Sequence, residues 1–177
     1  MNRRTLNLSL SLLATTLLGA CASNIPVAIR TPVDGDIRVD EVQQTPEPFI
    51  GSRVRWGGEI ISVENLSNET RIEILSQTLS KSGKPVGEGK SSGRFIARID
   101  GFLEPEDFPK NRKMTVMGLV EGTHEQPVGE FPYVYPTVKA GYYYLWPKEK
   151  VYPRHYYYDP FFDPFYYPYW RRYPYYH

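Results

Sequence analysis

The chain of 177 residues contains a single cysteine, Cys21. A lone thiol rules out any disulfide within the chain, so the fold must be held by packing alone. The place of that cysteine is as informative as its number. Arg3 and Arg4 give a positive start, residues 6–18 form an uncharged Leu-rich run, and Gly19-Ala20-Cys21 follows. The run fits an apolar signal core of about 7–15 residues and falls short of the roughly 20 needed to span a bilayer. Gly19 and Ala20 are small, so a peptidase can approach the backbone closely. Residues 1–20 are therefore expected to form a helical signal peptide, cut between Ala20 and Cys21, that takes no part in the fold.

Leu18-Gly19-Ala20-Cys21 resembles the Leu-[Ala/Ser/Gly]-[Gly/Ala]-Cys signal of bacterial lipoproteins, with Gly and Ala in the less common order. The plainer alternative is an ordinary secretory signal with an incidental cysteine. The resemblance implies that the Cys21 thiol takes a diacylglycerol as a thioether, and that the amine freed by cleavage is acylated, for example with palmitate. Cysteine suits this chemistry because its thiolate is a good nucleophile. Each buried methylene contributes about 0.8 kcal/mol, so two or more chains make a stable anchor. The Arg3-Arg4 pair also fits a twin-arginine signal, although such pairs are common in plain signals. Ala22 and Ser23, rather than Asp, follow the cysteine. By the bacterial sorting rule this implies the outer membrane, here read as its periplasmic face, with the lipoprotein-processing and sorting machinery as partners.

Charge bounds the other partners. Lys+Arg number 21 against 20 Asp+Glu, and 19 against 20 once Arg3 and Arg4 leave with the signal. A chain without basic excess is not expected to bind nucleic acid. Residues 21–48 carry Pro26, Pro32, Pro46 and Pro48 and the turn-forming Asp34-Gly35-Asp36, which predicts a tether or linker. Val39 and Val42 fit one short helical turn, and packing of part of this stretch on the domain is the open alternative.

Residues 49–147 read as one β domain. Alternation predicts strands over 52–64, 70–79, 93–102 and 114–123, then 133–138 and 142–146. Gly57-Gly58 is expected to mark a bend or bulge in the first strand, where the missing Cβ permits positive φ or close packing. Residues 81–92, rich in Gly, Ser and Lys, read as a flexible loop, and 124–130 as a turn. Glu104-Pro105-Glu106-Asp107 suits a helical turn beginning near Pro105, with acids in its first turn. The expected fold is mainly β: a small, curled, antiparallel OB-like barrel of five to six strands with one short helical insert. A β-sandwich is the alternative. A membrane-spanning barrel needs at least eight strands and is not expected.

Several phrases recur together in order: residues 51–61 (GSRVRWGGEII), 92–95 (SGRF), 101–103 (GFL), 114–122 (MTVMGLVEG), Gly129-Glu130, 133–136 (YVYP) and Leu145-Trp146. With the cysteine signal, this set resembles the Slp family of starvation-inducible outer-membrane lipoproteins. The resemblance implies an envelope protein linked to stress, and it carries over no catalytic residue.

Residues 148–177 form a low-complexity tail. Tyr152 to His177 holds ten of the fifteen tyrosines, with prolines at 153, 160, 164, 168 and 174. That proline spacing excludes helix and regular sheet and favours an extended, polyproline-like conformation. Tyr and Trp favour the membrane interface, and Arg154, Arg171 and Arg172 suit lipid phosphates. The tail is therefore expected to lie on a membrane or to hold an envelope polysaccharide, unless it is simply without a partner.

Chemistry-bearing constellations are weak. His124, His155 and His177 lack metal-ligand spacing, and Glu104, Glu106 and Asp107 fit helix-start charges better than paired acid–base groups. Neither a Gly-x-Ser-x-Gly elbow nor a phosphate loop occurs. No catalytic residue, metal or cofactor is assigned. Trp56, Tyr133 and Tyr135 are the candidate ligand-binding residues for a sugar or peptide. The competing reading for Trp56 is a core tryptophan. The functional expectation is an anchored, non-enzymatic envelope protein, with a periplasmic binding module as the alternative.

Overall fold

The computed structural model describes residues 24–87 and 91–149. The signal, Cys21 and the tail beyond residue 149 lie outside the described residues. Five strands form one ring: β1 (Arg53–Asn65), β2 (Glu69–Ser76), β3 (Arg94–Asp100), β4 (Lys113–Val128) and β5 (Phe131–Leu145). Two short helices precede it, α1 (Val27–Arg30) and α2 (Val39–Gln44). The predicted helical turn is a 3-10 turn at Pro105–Asp107.

Strand order around the ring is β1-β2-β3-β5-β4, closing back onto β1. The sequence expectation of a wholly antiparallel barrel needs one correction. β3 and β5 run parallel, through Ile96↔Thr137, Ala97↔Val138 and Arg98↔Lys139. There are five strands rather than six, because β5 runs unbroken through Gly141. Closure leaves fewer free sheet edges than an open sheet would, a useful property in a fold that no disulfide staples.

Inward positions alternate along each strand and fill the ring. Val54, Trp56 and Ile60 of β1 meet Ile72 and Ile74 of β2, Phe95, Ala97 and Ile99 of β3, Met114, Val116 and Val120 of β4, and Val138 of β5. Each large side chain buried here contributes about 1.5–3 kcal/mol. Residues 24–48 join this core instead of remaining free of it. Ile29 is fully buried, and α2 delivers Val39 and Val42 into the same cluster. The Glu41 carboxylate accepts the Arg38 N–H at 3.2 Å, which satisfies one donor at the start of α2.

Gly57 and Gly58 do not bend β1. The irregularity falls between Ile60 and Ser62. The glycines serve close approach: a Cβ on Gly58 would collide with the Leu75 carbonyl, and one on Gly57 would lie 2.7 Å from the Met114 carbonyl oxygen. Gly118 stands in the same way against the Lys139 carbonyl. Residues 124–130, read from sequence as a turn, instead form the outer part of the β4–β5 hairpin, with pairing continuing to Val128↔Phe131. Beyond Val120 β4 has no partner on its β1 side, and its own residues there are mostly exposed and polar. Its composition therefore resembles that of a turn.

Gly58→Ala should destabilise the protein by about 1–3 kcal/mol or more, because the obstacle is backbone and cannot move aside. Gly141→Ala, whose added Cβ would meet nothing closer than 3.9 Å, should change stability by less than about 1 kcal/mol. Urea unfolding midpoints of the two variants check the contrast.

Candidate functional site

Trp56 lies on β1 opposite Val116, with its ring turned into the core. It is 5% exposed. Its indole N–H donates to the Ile37 carbonyl at 2.7 Å, and Phe95 meets it edge-on with centroids 5.3 Å apart. The tryptophan therefore ties the segment before α2 to the barrel. Beside it opens a polar cleft of about 420 Å³, whose lining includes Asp36, Arg38, Arg55, Ser76, Gln77 and Ser92.

The cleft wall is largely self-satisfied. Arg55 donates to the carbonyls of Ile29 and Arg30 at 3.0 and 3.1 Å and so caps the C-terminal end of α1. Burial lowers its pKa, with Asp36 acting in the opposite sense. The Ser76 and Ser92 hydroxyls bond each other at 3.2 Å. Gln77 donates to Glu59 at 3.0 Å, while its buried Oε1 has no partner. This arrangement can bond a small polar group. It brings together no nucleophile with an oriented base.

Tyr133 and Tyr135 lie elsewhere, on the outer face of β5, with ring centroids 4.7 Å apart. The Tyr133 hydroxyl accepts the Arg94 backbone N–H at 2.9 Å. The Tyr135 hydroxyl donates to Glu73 Oε1 at 3.1 Å, the same oxygen that takes the Arg94 guanidinium at 2.8 Å. Burial, reinforced by the Glu73 charge, pushes the Tyr135 phenol above its ordinary value. Tyr135 is only 2% exposed. The three aromatic residues singled out from sequence thus do not share a groove. Trp56 faces the core, and the tyrosines clamp the outer face of β3 through polar tips.

Sequence reasoning missed the charge ladder around those tyrosines. Arg98 grips Glu69 through Nε and Nη2 at 2.9 and 2.7 Å, and reaches Glu121 at 2.5 Å. Arg71 adds a second contact to Glu69 at 3.0 Å. The Lys139 ammonium pairs with Asp100. Arg71 and Arg98 sit directly opposite in the register, a repulsive placement that the shared Glu69 relieves. The signal was present as alternating charge: Glu69, Arg71 and Glu73 on one strand face Arg94 and Arg98 on the next. The guanidinium of Arg98 is the main cause that holds the Glu69 carboxyl below the usual range, against the opposing effect of burial.

Among the described residues no group of three His, Cys, Asp or Glu side chains could hold a metal ion. None of the described helices is long and apolar enough to cross a membrane. His124 sits on the projecting hairpin. Cys21, the cut beside Ala20, and the other two histidines lie outside the described residues.

Comparison with known proteins supplies what geometry leaves open. Residues 18–176 match the sequence model of the outer membrane lipoprotein Slp family. The chain is similar to the outer membrane protein Slp of Escherichia coli, 34% identical over 135 residues that cover 75% of this chain and 69% of that protein. It is 31% identical to the uncharacterized lipoprotein YeaY of the same organism, over 73% of this chain and 67% of the relative. An uncharacterized protein of Haemophilus influenzae is 44% identical over 94 residues, and there the match spans about half of each chain, 52% and 51%. No solved structure matches.

Trp56→Phe should cost about 1 kcal/mol, because it removes the hydrogen bond to the partly buried Ile37 carbonyl; thermal or urea unfolding reads this. For Glu69→Gln the sign of the pH dependence is fixed by the lowered native pKa. Glu69 contributes stability above its unfolded value of about 4.3, and loses it as pH falls through the native value. The variant should be less stable by about 1–2 kcal/mol near pH 7, after allowance for the partly exposed Arg98. The gap should close in unfolding curves taken below about pH 4.

Proposed function

Because the chain belongs to the outer membrane lipoprotein Slp family, we propose that it is an anchored, non-enzymatic envelope protein. Acyl chains on Cys21 hold it at the periplasmic face of the outer membrane. The barrel then acts as a stable body, presented close to lipid under envelope stress. The observation that carries this reading is the filled core: the ring interior is taken up by side chains from all five strands and from α2, with Trp56 among them. A filled ring offers a surface, whereas an open one would offer a substrate cavity.

The alternative is a periplasmic binding module for an envelope sugar or peptide. One observation favours it, namely the polar cleft beside Trp56 with the unpartnered Gln77 Oε1 at its wall. Under either reading the Tyr/Pro-rich tail, residues 148–177, is proposed to add adhesion to the membrane interface or to envelope polysaccharide.

The anchor is tested by mass spectrometry of the protein extracted from membranes, together with separation of inner and outer membranes. A mature N-terminus at Cys21, carrying the added mass of a diacylglycerol and an amide-linked acyl chain, is expected in the outer fraction. Cys21→Ser should abolish that mass and release the protein from the membrane pellet. An unmodified Cys21, or a product free in the cytosol, refutes the reading.

A further inference from the structure

We propose that the barrel end where the chain leaves β5 is a phosphate-binding cradle for anionic lipid headgroups. A cleft of about 370 Å³ lies there, lined by Lys110, Asn111, Arg112, Lys113, Lys148 and Glu149 with two flanking prolines. Four cations stand against one carboxylate, in a chain whose overall formal charge is near zero. Glu149 is already engaged. It pairs with Lys84 at 3.0 Å and Lys113 at 3.1 Å, and these two ammonium groups hold its carboxyl below the usual range. Among the described residues Lys110 and Lys148 have no carboxylate within ion-pair distance.

Arg112 carries the argument further. Its Nη2 donates to the Trp146 carbonyl at 2.7 Å, which fixes the guanidinium. Its Nε is buried and has no hydrogen-bond partner. Among the described residues no ion pair neutralises this guanidinium, so its charge stands at the cleft wall, where an anion is the complementary ligand. The backbone around it is rigid. Asn111 sits at φ 67°, its N–H donates to the Ile60 carbonyl at 2.9 Å, and the Arg112 carbonyl accepts the Ile60 N–H at 2.9 Å. The site is thus held in shape before any ligand arrives, which lowers the cost of binding.

Position points to lipid as the source of the phosphate. Lys84 follows Gly83, whose Cα packs so tightly on the Ile29 carbonyl of α1 that a Cβ there would collide with it. α1 begins at Val27, six residues after Cys21. Six residues span at most about 20 Å. The cradle therefore sits beside the root of the anchoring segment, where each cation near an anionic surface strengthens attachment. This placement rests on Cys21 bearing the anchor, whereas the test below uses protein without acyl chains and reads the cradle alone.

The mature chain with Cys21→Ser is mixed with vesicles of phosphatidylcholine, or of phosphatidylcholine with phosphatidylglycerol, and sedimented. Tighter binding to the anionic vesicles than to the neutral ones is expected, the tail contributing equally to both. Lys110→Gln combined with Lys148→Gln, both exposed, should weaken it roughly ten- to thirty-fold. Arg53→Gln, an exposed cation away from the cleft, should leave it nearly unchanged. In a second arm inorganic phosphate is titrated while the Arg112 Nε–H resonance is followed by NMR. A shift in the native sequence, reduced in the double variant, is expected. Equal loss in Arg53→Gln would show diffuse charge and overturn the cradle. A phosphate response without vesicle preference would overturn the lipid source, and no response in either arm would overturn both.

Discussion

The ring closes because β1 pairs on both sides at once. At Gly58 the same residue faces Ser76 of β2 and Met114 of β4. Two neighbouring strands can converge there only if no side chain intervenes, which is why a glycine pair lies at the crossing. Gly118 does the same for β4 against β5. With backbone donors and acceptors taken up around the circle, the sheet needs no covalent staple. A chain whose sole thiol precedes the domain can therefore still hold its shape. The cost is intolerance: the crossings admit no Cβ, however small.

Much of this was legible in the residues. Alternating inward positions such as Ile72/Ile74 and Phe95/Ala97/Ile99 fixed strands β2 and β3, and glycines with short strands implied a curled ring. The parallel meeting of β3 with β5 was not legible, because three residue pairs of contact leave no local signature. At Gly57-Gly58 close packing was legible, but the expected bend was not found, for a related reason. A glycine needed for close approach and one needed for a bend look alike until the opposing strand is known. The β4 half of the outer hairpin was read as a turn since residues 121–127 are mostly polar and exposed, and show no apolar period.

The site was less legible than the fold. Trp56, Tyr133 and Tyr135 attracted attention as aromatic residues in strands, yet each is occupied with structure. The indole N–H and the two phenols end on Ile37, Arg94 and Glu73, so their polar tips hold segments together. The charged partners that make this possible are drawn from strands far apart in sequence, and pairing across 29 residues, as between Glu69 and Arg98, cannot be seen in a linear reading. The family match then supplies the address.

The Trp146 closure has a mechanical side. Its indole N–H donates to the Thr115 hydroxyl, which in turn donates to the Gly83 carbonyl, and Gly83 packs on α1. Both terminal segments are thus rooted at one point of the molecule. A pull exerted through the first described residues would pass through Arg55 into β1, and through the Gly83 turn into the Thr115–Trp146 latch on β4 and the end of β5. The junction where the chain leaves β5 would thus share the load with the root of α1.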